Sequence, residues 1–277
     1  MKKILLLGLL ISLVACNNQG ENDRNKDVEL ITSKGSIIIR LSDKTPKHRD
    51  NFIKLVKDQF YDSINFHRVI NKFLIQAGDP RTKTANPDDE NQPYDLPYLV
   101  PAEFDKTLFH KRGAVNAARN GDDENPFQMS SSTQFTIIQG KIFNDSLLDV
   151  SEGRINKWRL YNKVLRDPKN QKIADQLTLL YKNKVSYDSI LKVRKSLEDI
   201  AEKAYDTFSK YKIPVAHRKV YKSIGGAAHL DQNYTVFGEV IKGMDIVDAI
   251  AQVETAKGDR PVIPVTILSA RLIERED

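Results

Sequence analysis

Cysteine is nearly absent from this chain: Cys16 is the only one among 277 residues, beside one tryptophan and three methionines. A lone thiol excludes an internal disulfide and any thiolate-based metal site. The five histidines have no metal-ligand spacing, so no metal and no other cofactor is expected. No Gly-x-Ser-x-Gly segment occurs, which leaves Ser130–Ser132, with His67 or His110 as base, a poor basis for a hydrolase. No apolar run reaches the roughly 20 residues that a membrane-spanning helix needs. No internal repeat is visible, which argues against a solenoid or propeller.

Charge of one sign is also scarce in most of the chain. Lys and Arg total 43 against 37 Asp and Glu, a formal net charge of +6. Residues 145–223 hold 18 basic and 10 acidic side chains, net +8, so the remainder nets −2. The basic character belongs to that one segment, where solvated helix faces account for it, and no nucleic-acid partner is expected.

What is there begins with Lys2–Lys3 and the apolar run Ile4 to Val14, the pattern of a signal peptide over residues 1–16. The run ends in Leu13-Val14-Ala15-Cys16, which resembles a bacterial lipobox. That resemblance implies lipidation of Cys16 and a membrane-anchored protein of the bacterial cell envelope, with the choice of inner or outer membrane left open. Residues 17–27 are polar and aperiodic, as a flexible tether is.

From Val28 the pattern is that of a sheet. Val28–Thr32 and Ser36–Leu41 flank Ser33–Lys34–Gly35, a hairpin signal. Thr45–Pro46 opens a helix, with Thr45 as its cap. Phe66–Val69 and Phe73–Gln76 read as a strand pair broken at Asn71–Lys72, and Arg81–Pro97 as a long loop. Thr133–Ile138, Tyr234–Ile241 and Val262–Ile273 alternate as strands, and Gly243–Ile250 as a short helix. Between them, residues 145–223 take up helical spacing. One helix is expected from a Ser151 cap to Leu165, a second through Ile173–Tyr181, and a third from Ser186 to Phe208. The division predicted is 28–144 and 224–277 as one β domain, with 145–223 inserted as a helical subdomain.

Phe66-His67-Arg68-Val69-Ile70, Phe73-Leu74-Ile75-Gln76 and Gly78-Asp79 resemble the cyclophilin signature. Ala117-Ala118, Thr133-Gln134-Phe135, Leu230-Asp231 and Tyr234-Thr235-Val236-Phe237-Gly238 follow in the family's order, and Gly243-Met244-Asp245-Ile246-Val247 resembles its second helix. The resemblance covers 28–143 and 225–273. It implies a mainly β fold: a closed eight-stranded antiparallel barrel with two capping helices, carrying the helical insertion. It implies peptidyl-prolyl cis-trans isomerase activity on Pro-containing polypeptides, aiding the folding of exported proteins.

Arg68 would be the catalytic donor. Phe73, Leu74, Phe135 and Leu230 would line a proline pocket, with Ala118 on its wall and Tyr234 at its side. Gln76 and the backbone around Arg119 would bind the peptide chain. Thr136 stands where the family's Gln-Phe-Phe run has a second aromatic, making one wall smaller and more polar. His229 replaces the aromatic that contacts cyclosporin, which implies weak cyclosporin sensitivity. The rival expectation is an envelope chaperone that holds Pro-containing clients with little catalysis. The insertion either packs on the barrel or offers a surface to a protein partner.

Overall fold

The computed structural model describes residues 23–84 and 93–276. Cys16, the leader and most of the tether lie outside the described residues, as does 85–92 of the long loop. Ten strands are described: β1 (Lys26–Thr32), β2 (Gly35–Leu41), β3 (Arg68–Ile70), β4 (Leu74–Ala77), β5 (Leu99–Val100), β6 (Ala114–Ala117), β7 (Ser130–Ser131), β8 (Phe135–Ile138), β9 (Val236–Lys242) and β10 (Ile267–Glu274). Six α-helices accompany them: α1 (Pro46–Lys57), α2 (Asp145–Leu165), α3 (Gln171–Lys182), α4 (Tyr187–Ala204), α5 (Val215–Ser223) and α6 (Met244–Ala251). The expected tether gives up its last two residues to β1, where Asp27 is buried and accepts both arms of the Arg40 guanidinium at 3.0 and 2.8 Å.

Eight strands form one antiparallel sheet in the order β10-β1-β2-β9-β6-β8-β4-β3, while β5 and β7 pair separately. The sheet curls around a core in which alternate residues (Val28, Leu30, Ile37, Ile39) point inward, as period-two geometry requires. Helix α1 seals the core with Phe52, Leu55 and Val56, and α6 with Val247 and Ile250. The closed barrel expected from the resemblance is not what forms. End strands β3 and β10 do not ladder onto each other. Instead, Ser63 N–H donates to the Ile267 carbonyl, Ile267 N–H to Ile64 and Phe66 N–H to Val265, each at 2.8 Å. The reason is local: β3 has only three residues, and the chain before it turns through Gln59 and Ser63 at positive φ. Irregular backbone stitches cross the gap where a strand ladder would have closed it.

Two expected caps are corrected. Thr45 makes no cap hydrogen bond to α1, and its hydroxyl is buried without a partner. The Glu103 carboxylate serves in its place, accepting the N–H groups of Lys47 (3.1 Å) and His48 (3.0 Å), a negative charge at a helix N-terminus. Helix α2 begins at an Asn144 cap, seven residues before the expected Ser151 cap, and Ser151 lies within it, donating back to the Leu147 carbonyl at 2.9 Å.

The helical segment leaves and re-enters the sheet at one place. Lys141 and Gly226 exchange backbone hydrogen bonds of 3.1 and 3.0 Å. A Cβ on Gly140 (φ +71) would stand 2.4 Å from the Gly226 Cα, so the two stems can touch only with glycine at position 140. Helices α2, α3 and α4 close their own small core around Leu160, Leu177, Leu197 and Ala201. A second cluster, with Phe143, Leu148, Ile155 and Tyr221 against Phe109, joins them to the sheet. Helix α5 escapes sequence reading because it buries only Tyr221 fully, too little to set a period.

Candidate active site

Strand register assembles the site. Residues directly opposite each other in neighbouring strands lie on the same face. Arg68 pairs with Gln76, Gln76 with Thr136, and Thr136 with Asn116, so four polar side chains form one row across β3, β4, β8 and β6. The adjacent row on the same face is apolar: Ile70, Leu74 and Ile138. Leu74 and Ile138 cluster there with Ala114, Leu230 and Val236, and Phe73 and Tyr234 pack at the edge. A donor-bearing row beside a greasy patch is therefore built by alternation within each strand and register between them.

The opposite face carries Val69, Ile75, Ile137 and Val115, and with them Phe135, opposite Ala77 and Ala117. Phe135 is 1% exposed and packs edge-on against Phe52 and Tyr61 inside the sheet. It does not line the expected pocket; Thr136, its neighbour, faces that side instead. The Thr136 hydroxyl donates to the Asn116 side-chain oxygen at 2.6 Å, which satisfies both groups in their burial.

The remaining expected residues fall as follows. Arg68 stands at the rim with its side chain 41% exposed, and its Nε reaches Asp259 at 3.4 Å, a long contact between two exposed groups. Such a pair contributes at most about 1 kcal/mol, so the guanidinium is held loosely and keeps donors to spare. Gln76 donates to the Gln134 side chain at 3.0 Å. Phe73 follows a turn in which Lys72 has φ +60, and its ring stacks on His229 at 5.4 Å. Leu230 sits in a short 3-10 turn over residues 228–230. Ala118 exchanges its backbone with Gln134 and Ser131. The Arg119 guanidinium lies 4.9 Å above the Tyr234 ring, donates to the Asn233 carbonyl at 2.7 Å and pairs with Asp122 at 2.7 Å. Its charge is spent internally.

Burial, reinforced by Arg154 of α2 and by His110, pushes the His229 imidazole down to about 4, so a neutral ring backs Phe73. His67, beneath the Arg68 strand, is likewise pushed to about 4, chiefly by burial. Behind the site, His48 Nδ1 contacts Glu103 at 2.7 Å and Nε2 contacts Ser130 at 2.9 Å. This has the outline of a hydrolase triad, but Ser130 is 1% exposed and the Glu103 carboxylate already caps α1. It is a tie that fixes β7. Sequence reading missed Asp259, Asn116 and Gln134. Only the period-two parity of Gln134 and Asn116 with Thr136 and Ala118 could have signalled the last two.

Among the described residues no group of three or more His, Cys, Asp or Glu could hold a metal ion, and no helix is long and apolar enough to cross a membrane.

The family model for cyclophilin type peptidyl-prolyl cis-trans isomerase/CLD matches residues 27–152 and 218–272. A Staphylococcus saprophyticus protein, provisionally named a peptidyl-prolyl cis-trans isomerase, is 27% identical over 251 residues, covering 90% of this chain and 93% of that one. A Streptococcus pyogenes protein, provisionally named a bifunctional phosphatase/peptidyl-prolyl cis-trans isomerase, is 26% identical and matches 89% of this chain but 38% of its own length. Among solved structures, the cyclophilin type peptidyl-prolyl cis-trans isomerase of Cryptosporidium parvum superposes with a TM-score of 0.52 at 15% identity, covering 91% of this chain and 99% of that one. A second structure of that protein, in the presence of the dipeptide Ala-Pro, gives 0.51.

Proposed function

The chain belongs to the cyclophilin-type peptidyl-prolyl cis-trans isomerases, and we propose that it uses Arg68 to isomerise Xaa–Pro bonds of exported polypeptides while tethered to the cell envelope through Cys16. The row Arg68–Gln76 beside the Phe73–Leu74–Leu230 patch carries this reading. Rotation about the prolyl bond must cross a barrier of about 18–20 kcal/mol because the amide is resonance-stabilised. As the bond twists, resonance is lost and the prolyl nitrogen becomes a hydrogen-bond acceptor. A guanidinium held near it stabilises the twisted state more than either planar state, which is the requirement for catalysis. Arg68 has the loose tether and the fixed fork of donors for that task.

Phe73 and Leu230 give the prolyl ring an apolar seat, and the Gln76 amide meets the backbone beside it. No covalent step, cofactor or metal is required. The Ala-Pro dipeptide named in the Cryptosporidium parvum structure is consistent with this seat. Thr136 in place of an aromatic leaves the seat wider on one side. The export and anchor reading rests on Lys2–Lys3, the apolar run after it and Leu13-Val14-Ala15-Cys16. Incorporation of a labelled fatty acid, lost on Cys16→Ser, tests it.

The isomerase reading is tested by a protease-coupled assay on proline tetrapeptides with wild type and Arg68→Ala. Acceleration by wild type that collapses in the variant supports it. Equal, uncatalysed rates in both would make the protein a holder of Pro-containing clients.

A further inference from the structure

Beside Gln76 the site opens into a groove of about 310 Å³ between the 94–99 and 118–134 segments, lined by Tyr94, Asp95, Ala118, Glu124, Asn125 and Gln134 among others. Gln76 belongs to both the groove and the row that holds Arg68, so a polypeptide seated by its proline runs into it. One wall is the loop 119–128, and that loop is not held by the sheet alone. Asp123 is buried on the face turned away from the groove, where three helices of the insertion converge on it. Tyr161 of α2 donates its hydroxyl to one carboxylate oxygen at 2.6 Å, and Tyr181 of α3 donates to the other at 3.0 Å. Arg194 of α4 pairs with it at 3.3 Å, lying 5.6 Å over the Tyr161 ring. Thr178 donates to the Asp123 carbonyl, and Asn162 donates to the Pro126 carbonyl at 2.7 Å. Five side chains from the insertion thus grip one stretch of the loop.

The next residue, Glu124, is exposed and lines the groove. Asp95 on the facing wall adds a second acid, its oxygens accepting from Ser132 and Thr133. Among the described residues lining the groove, Arg119 is the one cation, and Asp122 pairs with it at 2.7 Å. The described lining therefore carries more acid than base, Glu124 and Asp95 against a paired Arg119, next to the row that holds Arg68.

We propose that the helical insertion is a specificity element: through the positioning residue Asp123 it fixes the groove wall, and the groove favours polypeptides with Lys or Arg beside the proline. This rests on the isomerase reading and adds a substrate class to it. Buried charge held by several donors is stiff, because releasing any one leaves a carboxylate unpaired away from water. A fixed wall keeps Glu124 at one distance from the passing chain, whereas a loose loop would let it swing into solvent, where screening removes its influence.

The test uses full-length protein and one tetrapeptide series around Ala-Pro, with Lys, Ala or Glu placed at one neighbouring position at a time. Wild type should prefer Lys over Glu by roughly fivefold in kcat/KM, the ratio shrinking as salt is added. Glu124→Gln should reduce that ratio. Asp123→Ala should reduce it as well, although Glu124 is untouched; loss of packing alone would slow all three peptides equally. Should Asp123→Ala fail to fold, Tyr161→Phe and Tyr181→Phe remove only the hydroxyl grip and should lower the ratio. A ratio unchanged in the Asp123 and tyrosine variants would overturn the role of the insertion. A wild-type ratio of one would overturn the groove's preference. Acceleration of none of the three peptides would instead sink the isomerase reading.

Discussion

The sheet and the helical insertion are held together by different physics. In the sheet, alternation buries one continuous apolar face, with Ile37, Ile39, Ile75, Ile137 and Val115 fully enclosed, and the row of Arg68, Gln76, Thr136 and Asn116 lies on the other face. The insertion buries a smaller core around Leu177 and Leu197 and meets the rest of the chain through the apolar cluster of Leu148, Ile155 and Tyr221 together with two polar joints: Asp123 gripped by Tyr161 and Tyr181, and Asp231 gripped by His110 and Tyr221. Apolar contacts tolerate small shifts, whereas hydrogen bonds to a buried carboxylate lose their value within a few tenths of an ångström. The difference teaches that the sheet supplies stability and the polar row Arg68–Gln76–Thr136–Asn116, while the insertion is attached in one defined orientation at the wall of the groove.

That contrast can be broken at the joint. Asp231 is 2% exposed and accepts from His110 Nδ1 at 2.8 Å and from the Tyr221 hydroxyl at 2.8 Å. Asp231→Ala strands both partners and should cost about 3–5 kcal/mol in urea unfolding, with α5 gaining the fastest amide exchange. Arg68→Ala addresses the sheet's chemistry alone. It should lower kcat/KM by about a hundred- to a thousandfold while the melting temperature stays put, since the Asp259 pair is exposed.

Acid acts on both regions. His67 in the sheet and His229 facing Arg154 of α2 are both held near 4 in the folded protein, against about 6.5 in an unfolded chain. Between those values the unfolded chain binds protons that the folded one refuses, so stability is complete above about 6.5 and falls as pH drops toward 4. Each group should cost up to about 2 kcal/mol at pH 5, read from urea midpoints across that range. The smallest effect is expected where an aromatic pair supplements the joint. His217 of α5 stacks on Phe109 at 3.8 Å, and His217→Ala should cost roughly 0.5–1.5 kcal/mol without changing kcat/KM for tetrapeptides.

Much of this protein was legible in the order of its residues. Arg68, Phe73, Leu74 and Gln76 lie within nine positions, and the turn at Asn71–Lys72 folds them onto one another, so their proximity is a local matter. Helical spacing likewise marked most of α2, α3 and α4, because a helix face is fixed by neighbours three and four residues apart. Phe135 shows the limit. Alternation states that Phe135 and Thr136 point to opposite faces, but which of them meets the core depends on the register of β8 against β4 and β6, contacts made with residues far along the chain. Closure of the sheet, the Glu103 cap on α1 and the grip on Asp123 belong to the same class. The sequence by itself determined the closeness of Arg68, Phe73, Leu74 and Gln76 and the helical spacing of the segment after Asp145. Only the tertiary structure decided which face of β8 turns outward, that the sheet stays unzipped between β3 and β10, and that the insertion reaches the groove. Those outcomes rest on contacts between distant residues, polar and apolar, which follow no period and leave no local pattern to read.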